Sequence, residues 1–208
     1  MPVASTDISA QTNRFTSNAE YDYTGNITTD QKFRGMQYEY DANGRMKRAF
    51  NVGGGGETTA IYDGLGQRIQ STSSEGTTNL VYDAFGQLVA EYGATVTLGA
   101  GGVKYLGSDN QGSTRVVMDN AGTVISRRDY QPFGEEIPGS VGKRNDNSEY
   151  NSSLNARQQY ALTESETNGL NHTTWRTQDS SAGRWTSPVL VVIHYMKLET
   201  RGQRINAL

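Results

Sequence analysis

Tyr62-Asp63-Gly64-Leu65-Gly66-Gln67-Arg68-Ile69 is the stretch on which the reading of this 208-residue chain turns. An aspartate at the first position of a tight turn can bond backbone amides two residues on, and a glycine at the fourth accepts the positive φ that closes it. That combination is the three-residue hairpin loop with a glycine bulge. The same unit recurs as Tyr21-Asp22-Tyr23-Thr24-Gly25, Tyr40-Asp41-Ala42-Asn43-Gly44 and Tyr82-Asp83-Ala84-Phe85-Gly86, with successive aspartates 19, 22 and 20 residues apart. One Asp-x-x-Gly is a generic turn, whereas four at a near-constant period are the mark of stacked supersecondary units.

Before each aspartate runs an alternating segment such as Gln37-Tyr38-Glu39-Tyr40, whose tyrosines share one face of a strand. After each glycine comes a polar or basic residue and then an apolar one, as in Gly44-Arg45-Met46, Gly66-Gln67-Arg68-Ile69 and Gly86-Gln87-Leu88-Val89. Each unit therefore reads as strand, tight turn, strand. A lone hairpin is marginal in water, so the units must lend their aromatic faces to one another. The expected fold is all-β: an array of antiparallel β-hairpins forming a curled or spiral sheet, part of a β-shell.

Composition agrees. The chain has 24 glycines but only 4 prolines, and 12 tyrosines within a hydrophobic content of 34%, which suits a thin, tyrosine-rich core. A net charge of −3 supplies no basic footprint for nucleic acid. The absence of cysteine excludes disulfides, thiolate catalysis and thiolate metal sites. The opening MPVASTDISA has neither the basic start nor the apolar stretch of a signal peptide, and the longest apolar run, Val189 to Ile193, is too short to span a bilayer.

Along the chain, residues 1–17 read as a frayed N-terminal segment. The hairpin repeats, with the core segment at 105–137, occupy 18–137. A closing segment follows at 138–188 and a tail of different composition at 189–208. Gly53 to Gly56 read as a flexible hairpin tip or inter-repeat loop. From residue 101 the rhythm tightens into turns at Asp109-Asn-Gln-Gly112, Asp119-Asn-Ala-Gly122 and Gln131-Pro-Phe-Gly134, a meander of short strands.

Residues 105–137, YLGSDNQGSTRVVMDNAGTVISRRDYQPFGEEI, resemble the RHS-repeat-associated core segment, and the Tyr-Asp hairpins before them resemble YD repeats. Thr167-Asn168-Gly169-Leu170 and Gly183-Arg184-Trp185-Thr186-Ser187-Pro188 stand where that family continues and closes. The resemblance implies a spiral sheet wound into a hollow shell around a polypeptide, often a toxin released by self-cleavage. It also implies upstream repeats of a longer chain as partners, a toxin-like cargo, and secretion or a bacterial cell surface as location. After Pro188 the sequence reads Val189-Leu190 where the family has Asp-Pro, so the aspartates expected to cut have no counterpart.

Catalytic chemistry is correspondingly thin. Only His172 and His194 could serve a triad, and no G-x-S-x-G elbow accompanies them. The repeated aspartates fit turn capping better than calcium binding, because Asp109-Asn-Gln-Gly112 lacks the ligand order of a twelve-residue loop. The expectation is a protein with no catalytic residue, cofactor or metal, structural or else a carbohydrate-binding module of the cell surface. Trp175 and Trp185, with Tyr160, read either as a plug over the end of the sheet or as exposed contacts for a glycan.

Overall fold

The structure is a computed structural model and describes residues 5–93, 103–146, 148–151, 156–166 and 168–188. The tail at 189–208, including Val189-Leu190, lies outside the described residues.

Eight strands form one sheet in sequence order: β1 (Ala19–Tyr21), β2 (Ile27–Asp30), β3 (Met36–Tyr40), β4 (Met46–Asn51), β5 (Thr58–Tyr62), β6 (Arg68–Ser73), β7 (Gly76–Tyr82) and β8 (Leu88–Gly93). All neighbours pair antiparallel. A three-stranded sheet follows, made of β9 (Tyr105–Ser108), β10 (Thr114–Met118) and β11 (Val124–Arg127), with β10 central. The third sheet holds β12 (Glu164–Ser165), β13 (Leu170–His172), β14 (Thr177–Asp179) and β15 (Arg184–Trp185) in order. The described fold is thus all-β with open antiparallel sheets. No helix among the described residues is long and apolar enough to cross a membrane.

Each Asp-x-x-Gly forms the expected turn. In all six copies, at Asp22, Asp41, Asp63, Asp83, Asp109 and Asp119, the glycine three residues on donates its N–H to the aspartate carbonyl. The carboxylate meanwhile accepts the N–H groups two and four residues on, at 2.8–3.0 Å. Gly25, Gly44, Gly66, Gly86, Gly112, Gly122 and Gly134 all have φ between 75° and 92°, which a β-carbon would oppose. Burial opposes ionisation of Asp22, but hydrogen bonds from Thr24 and Asn26 outweigh it and hold the carboxyl below its usual range. The amide of Ser113 does the same for Asp109.

A second irregularity follows each turn. Tyr40 pairs with Met46 but Glu39 with Arg48, which leaves Lys47 as an extra residue. The same slip leaves Thr28, Ile69, Val89, Arg115 and Ile125 extra in the other hairpins. A one-residue bulge bends its strand and raises the local twist, so one in every hairpin curls the sheet. It also changes the side-chain rhythm. In the first four returning strands the inward positions fall three apart, at Ile27 and Asp30, Met46 and Ala49, Arg68 and Ser71, and Leu88 and Glu91. After Gly66, the basic Arg68 is therefore buried and the apolar Ile69 is exposed.

The tyrosines before Asp41, Asp63 and Asp83 each stitch their hairpin to the previous one. Tyr40 Oη donates to the carbonyl of Ile27 at 2.9 Å, Tyr62 Oη to Met46 at 2.7 Å and Tyr82 Oη to Arg68 at 3.0 Å. Tyr130 repeats the contact on Thr114 at 2.9 Å. Burial raises the Tyr62 hydroxyl to about 12 and those of Tyr40, Tyr82 and Tyr130 further still.

Residues 5–17, read from the sequence as frayed, instead pack on the array. Ile8 bridges to Phe15, Phe15 stacks on Phe33 at 5.2 Å, and Lys32 pairs with Asp7. Gly53 to Gly56 form the tip joining β4 and β5, where Asn51 donates to the Gly55 carbonyl.

Candidate functional site

The interior of the array changes character along its length. Beneath the first two hairpins Ile27, Met36, Tyr38, Met46 and Ala49 make an apolar core, joined by Leu170 of β13, whose side chain is fully buried. Beneath the next two hairpins Leu80 and Leu88 are joined at inward positions by Arg68, Ser71, Tyr82 and Glu91, polar groups that need partners. The closing segment provides them.

Arg68 Nη2 donates to Glu164 Oε2 at 2.7 Å and Nη1 to Glu166, while Tyr82 Oη donates to the other Glu164 oxygen and Ser71 Oγ to Glu166 at 3.2 Å. Arg157 joins from the opposite direction, with Nε on Glu91 at 2.7 Å and Nη1 on Glu166 at 3.3 Å. The two arginine side chains are 3% and 4% exposed, so these pairs sit away from screening water. Burial disfavours the Arg68 cation, yet Glu166 and Glu164 more than offset this and drive its pKa up.

His172 lies inside this network, directly across β12–β13 from Glu164. Its Nδ1 shares a 3.0 Å hydrogen bond with Thr177 Oγ1. Burial, then the charges of Arg68 and Arg157, push its pKa well below the usual imidazole value, so the ring is neutral. It is a packed core histidine, and no serine or aspartate completes a triad with it in the contacts above.

Two further clasps hold the segment. Arg34 grips the β12–β13 turn and the end of β14, donating to the Asn168 and Gly169 carbonyls at 2.9 Å each and to Asp179 at 2.7 Å. That contact outweighs burial and keeps the Asp179 carboxyl ionised below its usual range. At the far end the Thr186 carbonyl accepts from Ile27 N–H at 2.8 Å and from Tyr40 Oη at 3.3 Å. The segment also bridges to the three-stranded sheet, where Thr114 donates its N–H to Gln159 and its hydroxyl to Gln158. What results is a polypeptide strand set held along the inward face by charge, carbonyl and one apolar residue.

The turn residues named from the sequence thus build the scaffold rather than the clasp. A further turn of the same geometry, Glu166 to Gly169, escaped the Asp-x-x-Gly pattern because glutamate stands in the aspartate's place. The clasp residues Arg34, Arg68, Glu91, Arg157, Glu164, Glu166 and Asp179 were all missed. For Arg68 and Glu91 the sequence signal that could have found them is a charge at a position where sister repeats carry Met46, Ala49 or Leu88. Trp175 is 62% and Trp185 41% exposed. The Arg176 guanidinium lies 3.9 Å above the Trp185 ring, leaving one open indole rather than a paired platform. No cluster of three or more metal-ligating side chains occurs among the described residues.

No protein-family profile matches the chain, and no curated protein matches it. Solved structures do. A Tc holotoxin pore from Photorhabdus luminescens superposes with a TM-score of 0.56 at 16% identity, over 81% of this chain and 9% of that one. The crystal structure of TcdB2-TccC3 gives 0.57 at 15% identity, over 82% and 10%. That of TcdB2-TccC3-Cdc42 gives 0.55 at 16% identity, over 80% and 9%. At such identities the likeness is one of fold. The chain spans about a tenth of the length of the chains it matches.

Proposed function

We propose that this chain is a segment of an RHS/YD-repeat shell, a non-enzymatic wall whose inward face holds polypeptide. One observation carries the reading: the inward positions of the third and fourth hairpins, Arg68 and Glu91, are charged and are satisfied by strands from elsewhere in the chain. A sheet built only for its own stability would fill those positions as the second hairpin does, with Met46 and Ala49. The matched solved structures are parts of Tc toxin assemblies, which supports a toxin-associated structural role with a longer chain and a cargo polypeptide. Secretion or a bacterial surface location follows from the same reading.

The experiment is a graft. Residues 18–188 replace the superposed segment of the TcdB2-TccC3 chain, and the product is imaged by cryo-electron microscopy. A closed particle that retains its cargo supports the wall role; a particle opened at the graft, with a Glu166→Gln graft behaving no worse, contradicts it. Intact-mass measurement of the 208-residue chain after prolonged incubation tests the non-enzymatic part. An unchanged mass is expected, and a cut near Pro188 would overturn it.

A further inference from the structure

Under the first two hairpins the inward face carries two polar groups that the clasp leaves unsatisfied. Asp30 closes β2 and is 2% exposed; its Oδ1 accepts the amides of Lys32 and Phe33 at 3.0 Å each, and its Oδ2 has no partner among the described residues. Tyr38 of β3 is 4% exposed, and its hydroxyl has no partner there either, unlike those of Tyr40, Tyr62 and Tyr82. Burial, more than the two amides offset, raises the Asp30 carboxyl above its usual range. Buried polar atoms left in this condition are rare and call for an explanation.

Both residues line one cavity of about 490 Å³, inside the ~300–1,000 Å³ range of small-molecule sites. Its walls are aromatic and cationic. Phe15, Tyr21 and Trp185 line it, with the guanidinium carbons of Arg184, Arg14 and Arg176 lying 5.2, 4.8 and 3.9 Å from those ring centres in turn. Arg184 donates to Asn13, whereas Arg14 and Arg176 have no acidic partner among the described residues. Burial alone lowers the pKa of Arg176, with no carboxylate to offset it.

The two kinds of group select the ligand. A simple anion would suit the guanidiniums but face Asp30, and a simple cation would suit Asp30 but face the guanidiniums. A metal ion would find only Asp30 and Asp179, the second already held by Arg34. We infer that the cavity binds a small zwitterion with an apolar body, of the α-amino-acid or short-peptide class. Its ammonium donates to Asp30 Oδ2 and Tyr38 Oη, its carboxylate accepts from Arg14 or Arg176, and its body lies against the aromatic walls. The inference stands apart from the wall reading, because it uses neither Arg68 nor Glu91.

Isothermal titration calorimetry on the full chain tests it with L-phenylalanine and glycyl-L-phenylalanine, against 2-phenylethylamine, which lacks the carboxylate, and 3-phenylpropanoate, which lacks the ammonium. At least one zwitterion is expected to bind, and the tighter of the two fixes the source. Each truncated analogue is expected to bind at least about tenfold more weakly than that zwitterion, the effect of losing one charge-assisted hydrogen bond. Asp30→Asn is expected to weaken the zwitterion by a similar factor and to leave 3-phenylpropanoate no weaker. Arg176→Gln, a half-buried site outside the core, is expected to weaken the zwitterion while sparing 2-phenylethylamine, and it provides the test should Asp30→Asn fail to fold. No heat of binding for either zwitterion, an analogue that binds as tightly, or unchanged affinity in a folded variant overturns the inference.

Discussion

Arg68 and Glu166 stand 98 residues apart in the chain and meet as a buried ion pair, with side chains 3% and 4% exposed. Neither charge has bulk water to fall back on, so each depends on the other. Glu166→Gln is expected to destabilise the protein by about 1–3 kcal/mol, because Arg68 and Arg157 each lose one charged partner while keeping Glu164 and Glu91. Replacing Arg68, Glu164 and Glu166 together by apolar residues of similar volume is expected to cost far less. Urea unfolding of the single and combined variants reads both values; purely additive losses would show that the groups do not act as a unit.

The tyrosine ladder makes a separate expectation. Tyr62→Phe removes only the hydroxyl that bonds the Met46 carbonyl, and is expected to cost about 1 kcal/mol. Tyr62→Ala removes the ring as well and is expected to cost about 3–5 kcal/mol. Chemical denaturation distinguishes them. Equal losses would mean that the hydroxyl stitch, and not the ring, accounts for the residue.

Two glycines of equal φ separate backbone strain from packing. Gly112 and Gly122 both sit at φ 80°. A β-carbon at Gly122 meets nothing within 4 Å, whereas at Gly112 it would lie 2.7 Å from Leu162 Cγ. Gly122→Ala is expected to cost about 1–2 kcal/mol for the left-handed conformation alone, and Gly112→Ala measurably more. Thermal melts of the two variants compare them directly, and equal shifts would contradict the tight seat of Leu162.

His172 sets a pH dependence. Its pKa is depressed in the folded protein, where it faces Arg68 and Arg157, while Glu164 across the strand is already engaged by Arg68 and Tyr82. The unfolded chain therefore binds a proton that the folded one refuses. Stability from this group is complete above the ordinary imidazole value of 6.5 and is lost as pH falls below it. Denaturant midpoints between pH 7.5 and 5 are expected to fall for the parent chain and to flatten in His172→Asn. An unchanged slope in that variant would assign the effect elsewhere.

Much of the scaffold was legible because its determinants are local. Asp63 and Gly66 fix their turn within four residues, and Tyr62 announces its strand by alternation. The bulge at Ile69 was not legible, since nothing at that residue distinguishes it from an ordinary strand member. It made Arg68 look like surface and Ile69 like core, the reverse of what the structure shows. The clasp was hidden for a different reason. Arg68 and Glu164 are 96 residues apart, and each alone has the appearance of a solvated charge. Only the curl of the sheet brings them together, and that curl depends on the bulges.

Hydrogen exchange on the full chain tests the central claim most directly, by comparing the amides of β13 and β14 with those of β6 in the parent and in Arg68→Met. The closing strands are expected to exchange as slowly as β6 in the parent, and to lose protection in Arg68→Met while the first two hairpins keep theirs. Fast exchange of β13 and β14 in the parent, or protection unaffected by the variant, would show that the inward charges do not hold the segment.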